Sequence, residues 1–295
     1  MNQLEGITYS HEHTRIDLSA VKKTDDTNID CFEETILAYK ELREKGVRHI
    51  VDATVLGMKR DPLYVQKVAE ASGITIIQAT GFYIEEFLPP MVEACSIEEL
   101  ADFMIKEIRD GIEDSGIKAG FIGEIGSSEN RFTDGERKVF AAAVLAQQKT
   151  GVPIMTHTSL GTFGHEQIEL LRALGADLSK VVIGHADLSG DAVYVLHMLR
   201  QGVYVAFDTI GKENYLPDIT RVEMLKAIEE AGFTDKVLLS MDITRKSNMA
   251  HKGGIGYSYL LDVFVPLMQE KGISGAFIQN MLVTNPREFF GEILK

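Results

Sequence analysis

Eight short runs of mostly apolar, often β-branched residues recur along the chain, and each ends in one or more polar residues. The runs are continuously apolar and do not alternate, which is typical of strands whose two faces are both covered in a parallel sheet. They occupy residues 7–13, 49–54, 74–80, 119–126, 153–158, 181–187, 204–209 and 237–242. The pattern therefore predicts eight buried strands.

Helical patterns fill the intervals between these runs. Ser96 with Glu99, and Thr133 with Glu136, have the spacing of a capping box, and apolar residues follow each pair at helical intervals. Six further segments show a helical pattern: 33–45, 62–72, 164–174, 190–201, 219–231 and 257–270. Glycines lie at or just past many of the predicted ends, where a left-handed cap is favoured.

Strands that alternate with helices predict a parallel sheet. Eight such units in a chain of 295 residues match an α/β fold of the (β/α)8 TIM barrel type, and we expect one barrel domain over residues 1–295. The alternative, an open doubly wound sheet, usually carries a glycine-rich phosphate loop after its first strand, and the sequence after residues 7–13 contains none. The segment 275–291 is predicted to form two short helices that close the barrel bottom or edge, with Phe289 and Phe290 in the core.

Composition narrows the class of protein. The chain is 45% hydrophobic and 25% charged, as expected for a packed core, and its net charge of −14 disfavours binding to nucleic acid. No apolar run approaches the roughly 18 residues that span a bilayer, and the first ten residues lack the regions of a secretory signal. Cys31 and Cys95 are isolated, which indicates free thiols in a reducing compartment. We therefore expect a cytoplasmic protein that binds neither nucleic acid nor membrane.

The predicted strand ends carry imidazoles and carboxylates, and the chemistry of a TIM barrel lies at those ends. Polar residues at these positions are His11, His13, Asp52, Gln78, Thr80, Glu124, His157, His185, Asp208 and Asp242. A single strand histidine is more often a hydrogen-bonded core residue than a ligand. Burying four histidines and two carboxylates at one barrel mouth without partners costs free energy, whereas divalent metal ions could bind all of them together. Six such ligands exceed the need of one catalytic zinc and predict a two-metal site.

Six sequence strings resemble the phosphotriesterase family of the amidohydrolase superfamily, and most of all its bacterial homology-protein subgroup. They are SHEHTRIDLS, GEIGSSE, THTSLGTFGHEQ, GHADLS, FDTIGK and LSMDITRK. The resemblance implies that His11, His13 and Asp242 hold the more buried of two divalent metal ions, and that His157 and His185 hold the more exposed one. A hydroxide and a fourth-strand residue would bridge the two ions. The resemblance also implies a homodimer, and the N/O ligands suit zinc, with manganese or cobalt as alternatives.

The bridging position differs from that of the classical phosphotriesterases and lactonases, which carry a carboxylated lysine there, and resembles that of the homology-protein subgroup. This chain has Glu124, and Lys118 lies too early in the strand to replace it. A glutamate is still an anion with two oxygens, but its side chain is shorter. The metals would then lie further apart, or one would bind weakly. The alternative interpretation of Glu124 is a buried salt bridge to a neighbouring strand.

The resemblance implies a hydrolase that cleaves a lactone or another small ester, with or without a phosphate group. Asp242 would accept the proton of the bridging hydroxide. Tyr83, Lys212 and Arg245 are candidate substrate-binding residues, and ordinary loop packing or loop ion pairs are the alternative for them. Two other functions stay open: a phosphotriesterase or aryl esterase, and a non-catalytic metal-bound binding protein.

Overall fold

Eight parallel strands form the central sheet of the computed structural model, which describes residues 6–291. They are β1 (Ile7–Glu12), β2 (Val47–Asp52), β3 (Thr75–Thr80), β4 (Phe121–Ser127), β5 (Ile154–Thr158), β6 (Val181–Gly184), β7 (Tyr204–Phe207) and β8 (Val237–Leu239). Each strand pairs in parallel with the next one along the chain. The predicted (β/α)8 TIM barrel is confirmed.

The seam between β8 and β1 is closed at the mouth by the buried side chain of Glu12. Its carboxylate accepts hydrogen bonds from the Ser240 hydroxyl at 2.8 Å and from the backbone N–H groups of Met241 at 2.9 Å and Ile243 at 3.1 Å. One backbone hydrogen bond, from the Asp242 N–H to the His11 carbonyl at 3.2 Å, joins the same two chain segments. The first and the last strand of the barrel are therefore linked next to the predicted site.

A helix follows each strand, and the helices surround the sheet. They are α1 (Phe32–Glu44), α2 (Pro62–Ser72), α3 (Ile97–Arg109), α4 (Asp134–Thr150), α5 (Gly164–Ala173), α6 (Ala192–Arg200), α7 (Asp218–Glu230) and α8 (Val265–Glu270), with shorter α-helices at Ser19–Lys22 and Pro90–Ala94. Both predicted capping boxes are present, at Ser96 before α3 and at Thr133 before α4. A two-stranded antiparallel ribbon pairs Ile16–Asp17 with Asn28–Ile29.

The C-terminal segment contains the two predicted short helices, joined by a π-helical turn that the sequence did not indicate. Gly275–Gln279 and Asn285–Phe290 are α-helical, and the π-helical turn Asn280–Thr284 joins them with helical backbone angles throughout. Pro286 has no N–H to donate, and the wider π turn just before it accommodates the missing bond.

The predicted contacts of this segment with the barrel bottom are confirmed. The Phe290 ring packs on Phe121 at the start of β4, and the Phe289 ring packs on Tyr204 at the start of β7, with ring centroids 5.8 Å and 4.7 Å apart. Both phenylalanines are buried. The polar mouth therefore lies at the opposite end of the barrel from this apolar closure. Within residues 6–291, none of the helices combines the length and apolar composition that a bilayer span requires.

Candidate metal centre at the barrel mouth

The predicted ligands lie within or just after five of the strands, and the backbone conformation differs between them. His11, Glu124 and His157 belong to β1, β4 and β5, whereas His185 and Asp242 follow the ends of β6 and β8. His185 and Asp242 have φ angles of 55° and 49°, in the left-handed region that costs a non-glycine residue about 1–2 kcal/mol. Such backbone strain is concentrated at functional sites, where surrounding contacts hold it in place.

The carboxylate of Glu124 lies among the four imidazoles. Its Oε2 atom is 3.5 Å from His11 Nε2, 3.2 Å from His157 Nδ1 and 3.7 Å from His185 Nε2, and its Oε1 atom is 3.6 Å from His13 Nε2. Asp242 Oδ1 adds a further acceptor, 3.2 Å from His13 Nε2 and 3.9 Å from His11 Nε2. The structure thus brings all six residues named from the sequence to one point, and all of them are buried except His157, which is partly exposed.

A second layer of hydrogen bonds fixes the outer ring nitrogens of the histidines. The two oxygens of buried Asp208 contact His11 Nδ1 at 2.8 Å and His185 Nδ1 at 2.7 Å, and one of them also accepts the His185 backbone N–H. The Thr54 hydroxyl lies 2.8 Å from His13 Nδ1. With these outer nitrogens occupied, the inner nitrogens are left to face Glu124.

The electrostatics of the cluster call for a cation. Burial lowers the pKa of His11, but the charges of Glu124 and Asp208 outweigh it and raise that pKa well above its usual range. At His185, burial also lowers the pKa, but the charge of Asp208 outweighs this effect and the pKa rises to about 10. Burial raises the pKa of Glu124 as well, yet the facing imidazoles hold it well below the usual value. The raised pKa values of His11 and His185 and the lowered pKa of Glu124 have the same cause, the attraction between buried carboxylates and the imidazoles beside them, so the cluster favours positive charge next to its carboxylates.

The residues present fit a pair of divalent metal ions. Two groups of donors, each with ligand atoms within 4.8 Å of one another, share Glu124: one adds His11 and His13, and the other adds His157 and His185. The Nε2 atom of His11 is buried and has no hydrogen-bond partner among residues 6–291. A buried imidazole nitrogen without a partner is costly, and a metal ion bound to it would remove that cost.

A cavity of about 230 Å³ opens from this cluster towards solvent, and the three predicted substrate-binding residues, Tyr83, Lys212 and Arg245, all line it. The Tyr83 hydroxyl is 3.2 Å from His157 Nδ1. The Lys212 Nζ atom donates to Asp242 Oδ2 at 2.5 Å, and both side chains are buried. Arg245 is more loosely held, with one nitrogen 3.5 Å from an oxygen of Asp26. Substrate binding by these residues stays a prediction.

Three polar strand-end residues do not reach the cluster. Asp52 accepts the backbone N–H groups of Thr14 and Thr54, Gln78 donates to a backbone carbonyl, and Thr80 donates to Glu107. Sequence reasoning also missed apolar residues of the cavity wall, among them Leu160 and Tyr215, which are 50% and 48% exposed. Leu160 lies in the short 3-10 turn Ser159–Gly161 and Tyr215 in the loop after β7, and neither has a repeating hydrophobic pattern that would predict its place in the cavity wall.

Fold and donor cluster together define the chain as a (β/α)8 barrel whose mouth could hold metal ions. A family model for the phosphotriesterase family matches residues 2–290, so the chain belongs to that family. Family members are metal-dependent hydrolases that act on small substrates. The sequence prediction of the family is therefore confirmed.

Three relatives illustrate the range of this family. The chain is 44% identical to the phosphotriesterase homology protein of Escherichia coli, over 97% of this chain and 98% of that protein. The crystal structure of the E. coli protein, complexed with phosphate in its active site, superposes with a TM-score of 0.96, at 43% identity and covering 98% of this chain and all of that chain. The lactonase Lmo2620 from Listeria monocytogenes superposes with a TM-score of 0.93 at 29% identity, covering 98% and 95% of the two chains. The N-acetyltaurine hydrolase of Xenopus tropicalis is 32% identical over 88% of this chain and 77% of its own.

Proposed function

We propose that this protein is a hydrolase with two divalent metal ions that cleaves a lactone or another small ester, with or without a phosphate group. The position of Glu124 carries the proposal. Its two oxygens face imidazoles from both donor groups, so one carboxylate can contact both ions. His11, His13 and Asp242 would hold the deeper ion, and His157 and His185 the outer one. Zinc is the proposed metal, with manganese and cobalt as alternatives.

When bound, the two ions would polarise a substrate oxygen and lower the pKa of water towards about 7. In this proposal Asp242 accepts the proton of that water. One of its oxygens faces His13, and the other accepts a hydrogen bond from the Lys212 ammonium at 2.5 Å. Burial raises the pKa of Asp242, but Lys212 and the imidazoles lower it far below the usual range, so the carboxylate stays ionised.

The cations of the cavity wall favour a substrate that carries a negative charge. Arg245 lines the cavity and its guanidinium can bind a phosphate or carboxylate through two parallel hydrogen bonds. The ammonium of Lys212 also lies in the cavity wall, beside Asp242. The phosphate in the active site of the E. coli relative and the lactonase activity named for the Listeria relative support a small anionic lactone.

An activity screen tests the proposal. The purified protein, supplied with zinc, manganese or cobalt, is assayed on lactones, sugar lactones with and without a phosphate group, aryl esters and phosphotriesters. We expect turnover of an anionic lactone above that of the neutral ones, and loss of turnover with a chelator. Turnover of phosphotriesters or aryl esters alone would favour the alternative enzyme. Tight binding without turnover of any substrate would favour a non-catalytic protein.

A further inference from the structure

Two histidines that the barrel mouth does not use meet on the outside of the barrel. His165 lies in the first turn of α5 and His197 lies on the neighbouring helix α6. Their Nδ1 atoms are 3.2 Å apart, and the two rings are inclined at 71° with centroids 4.5 Å apart. Because the two residues are far apart in sequence, this approach is produced by the packing of one helix on the other.

The separation of the two nitrogens matches the bite of a metal chelate. Two imidazole nitrogens bound at 2.0–2.1 Å to one tetrahedral zinc ion lie about 3.3 Å apart. We propose that His165 and His197 form a second kind of metal site, a peripheral clamp that binds one borderline divalent cation such as Zn²⁺, Ni²⁺ or Cu²⁺. Imidazole suits these ions, and water would fill the remaining positions.

The site is held in place before any ion arrives. The ring of His165 lies edge-to-face against Tyr194, with centroids 4.3 Å apart, and the Tyr194 hydroxyl accepts the Gly164 backbone N–H at 2.8 Å. Asp191 caps α6 through the N–H groups of Val193 and Tyr194. Both imidazoles therefore sit on anchored helix segments, which lowers the entropy lost when an ion binds.

The local charge also favours a cation. Burial, followed by the neighbouring His197, lowers the pKa of His165, and the carboxylates of Glu166 and Glu169 oppose this shift without cancelling it. The lowered pKa favours the neutral imidazole, which is the form that binds metal. A single proton shared between the two rings in an N–H···N hydrogen bond is the competing explanation for the short contact, and it needs no metal. The Gln201 amide nitrogen, 3.5 Å from His165 Nδ1, is a further polar neighbour that a bound ion would displace.

An ion at this position would connect the outer helices to the barrel mouth. The Gln167 side chain, two residues after His165 on α5, donates to the His157 carbonyl at 2.7 Å and to the Ser127 hydroxyl at 2.8 Å. A clamp between α5 and α6 would thus restrain the helix that supports one of the proposed central ligands, and it should raise the thermal stability of the whole chain.

Metal counting tests this proposal on the full chain carrying its own central metals. Wild-type protein and the His197→Gln, His165→Gln and His251→Gln variants are dialysed against Zn²⁺, and bound metal is measured by elemental analysis. We expect His197→Gln and His165→Gln each to bind one equivalent less than wild type. His251→Gln, which removes an exposed histidine elsewhere, should bind as much as wild type.

Spectroscopy of Cu²⁺ added to protein whose central site is already filled with Zn²⁺ gives a readout besides activity. The added Cu²⁺ should show nitrogen coupling from two imidazoles in wild type and in His251→Gln, and both His165→Gln and His197→Gln should lose this signal while retaining their far-UV circular dichroism. Equal metal content in wild type and His197→Gln would overturn the proposal and leave the shared proton as the explanation. Since the result is a difference between variants, it stays interpretable if the central site is found to hold no metal.

Discussion

Asp208 orients two of the four imidazoles at the mouth, one through each carboxylate oxygen. Asp208→Asn keeps the shape but can accept through only one oxygen, so one histidine loses its fixed orientation. We expect metal affinity at the mouth to fall by about 10–100-fold. Competition with a chelator measures it. The exposed Asp177→Asn variant should bind metal as wild type does, and an unchanged affinity in Asp208→Asn would contradict the positioning role.

Arg245 and Lys246 are adjacent cations with different surroundings. Arg245 lines the cavity, whereas Lys246 pairs with Asp25 at 2.7 Å and is absent from the described cavity wall. Arg245→Ala should therefore raise KM for anionic substrates more than for neutral ones, and Lys246→Ala should change neither. Steady-state kinetics on a matched pair of substrates provides the measurement. Equal losses for both substrates in Arg245→Ala would remove the proposed anion contact.

His49 predicts a pH dependence of stability at the opposite end of the barrel. Burial, followed by the charge of Arg48, lowers its pKa from 6.5 to about 4. The unfolded chain therefore binds the proton first as pH falls, so the folded state loses stability between about pH 6.5 and pH 4 and gains nothing from this group above that window. Between pH 7.5 and pH 5, we expect protonation of His49 in the unfolded chain to lower the free energy of unfolding by at least about 1 kcal/mol.

Urea unfolding at the two pH values measures that loss. The His49→Gln variant should lose less stability on acidification than wild type, while His251→Gln should behave as wild type does. Taking the difference between variants cancels the contribution of the histidines at the mouth. Identical losses in wild type and His49→Gln would show that His49 is not held neutral.

The sequence identified the candidate ligands because the strand ends of a barrel are readable from its apolar runs. It could not indicate that Lys212 pairs with Asp242 or that Thr54 supports His13, since these contacts depend on loop angles. The left-handed conformation of His185 and Asp242 also has no sequence signal, because such φ values in residues other than glycine are set by tertiary contacts.

At the scale of elements, both π-helical turns precede a proline. Leu260–Phe264 comes just before Pro266, and Asn280–Thr284 comes just before Pro286. Periodicity predicted helices in both places, and the capping boxes of α3 and α4 were readable as well. The π-helical turns could not be predicted, because a proline within an apolar helical pattern is compatible both with a helix break and with a continued helix that contains a local π turn.

Asn285 connects the last helix to the bottom of the barrel. Its buried side-chain amide donates to the carbonyls of Val237 at 2.9 Å and Thr234 at 3.1 Å. Asn285→Ala would leave the buried Val237 carbonyl short of a donor, and we expect it to lower the free energy of unfolding by about 1–3 kcal/mol. Urea denaturation tests this. Gln279→Ala, at an exposed position of the same helical segment, should change stability far less.

At the scale of the whole molecule, the net charge of −14 contrasts with the cationic residues that line the cavity. Ionised carboxylates within the cluster make the mouth a place where cations stabilise the fold. Removal of metal should therefore lower stability, by about 2.7 kcal/mol when free metal stands at 100 times its Kd. Melting with and without a chelator measures the effect.

Glu124→Gln should abolish most of the difference in thermal stability between metal-loaded and metal-free protein. Glu129→Gln, at an exposed position just after β4, is the matched control and should keep the difference. If a chelator lowers the melting temperature equally in wild type and in Glu124→Gln, the stabilising ion binds elsewhere. The His165–His197 pair would then be the first site to test.

The link between Glu12 and residues 240–243 has a consequence for biosynthesis. The Ser240 hydroxyl, one of the groups that donate to Glu12, lies 228 residues after it in the chain, and the carboxylate of Asp242 follows two residues later. A nascent chain halted before residue 243 would lack these groups, so we expect the proposed site around His11 and His13 to bind metal only after the eighth strand has been translated.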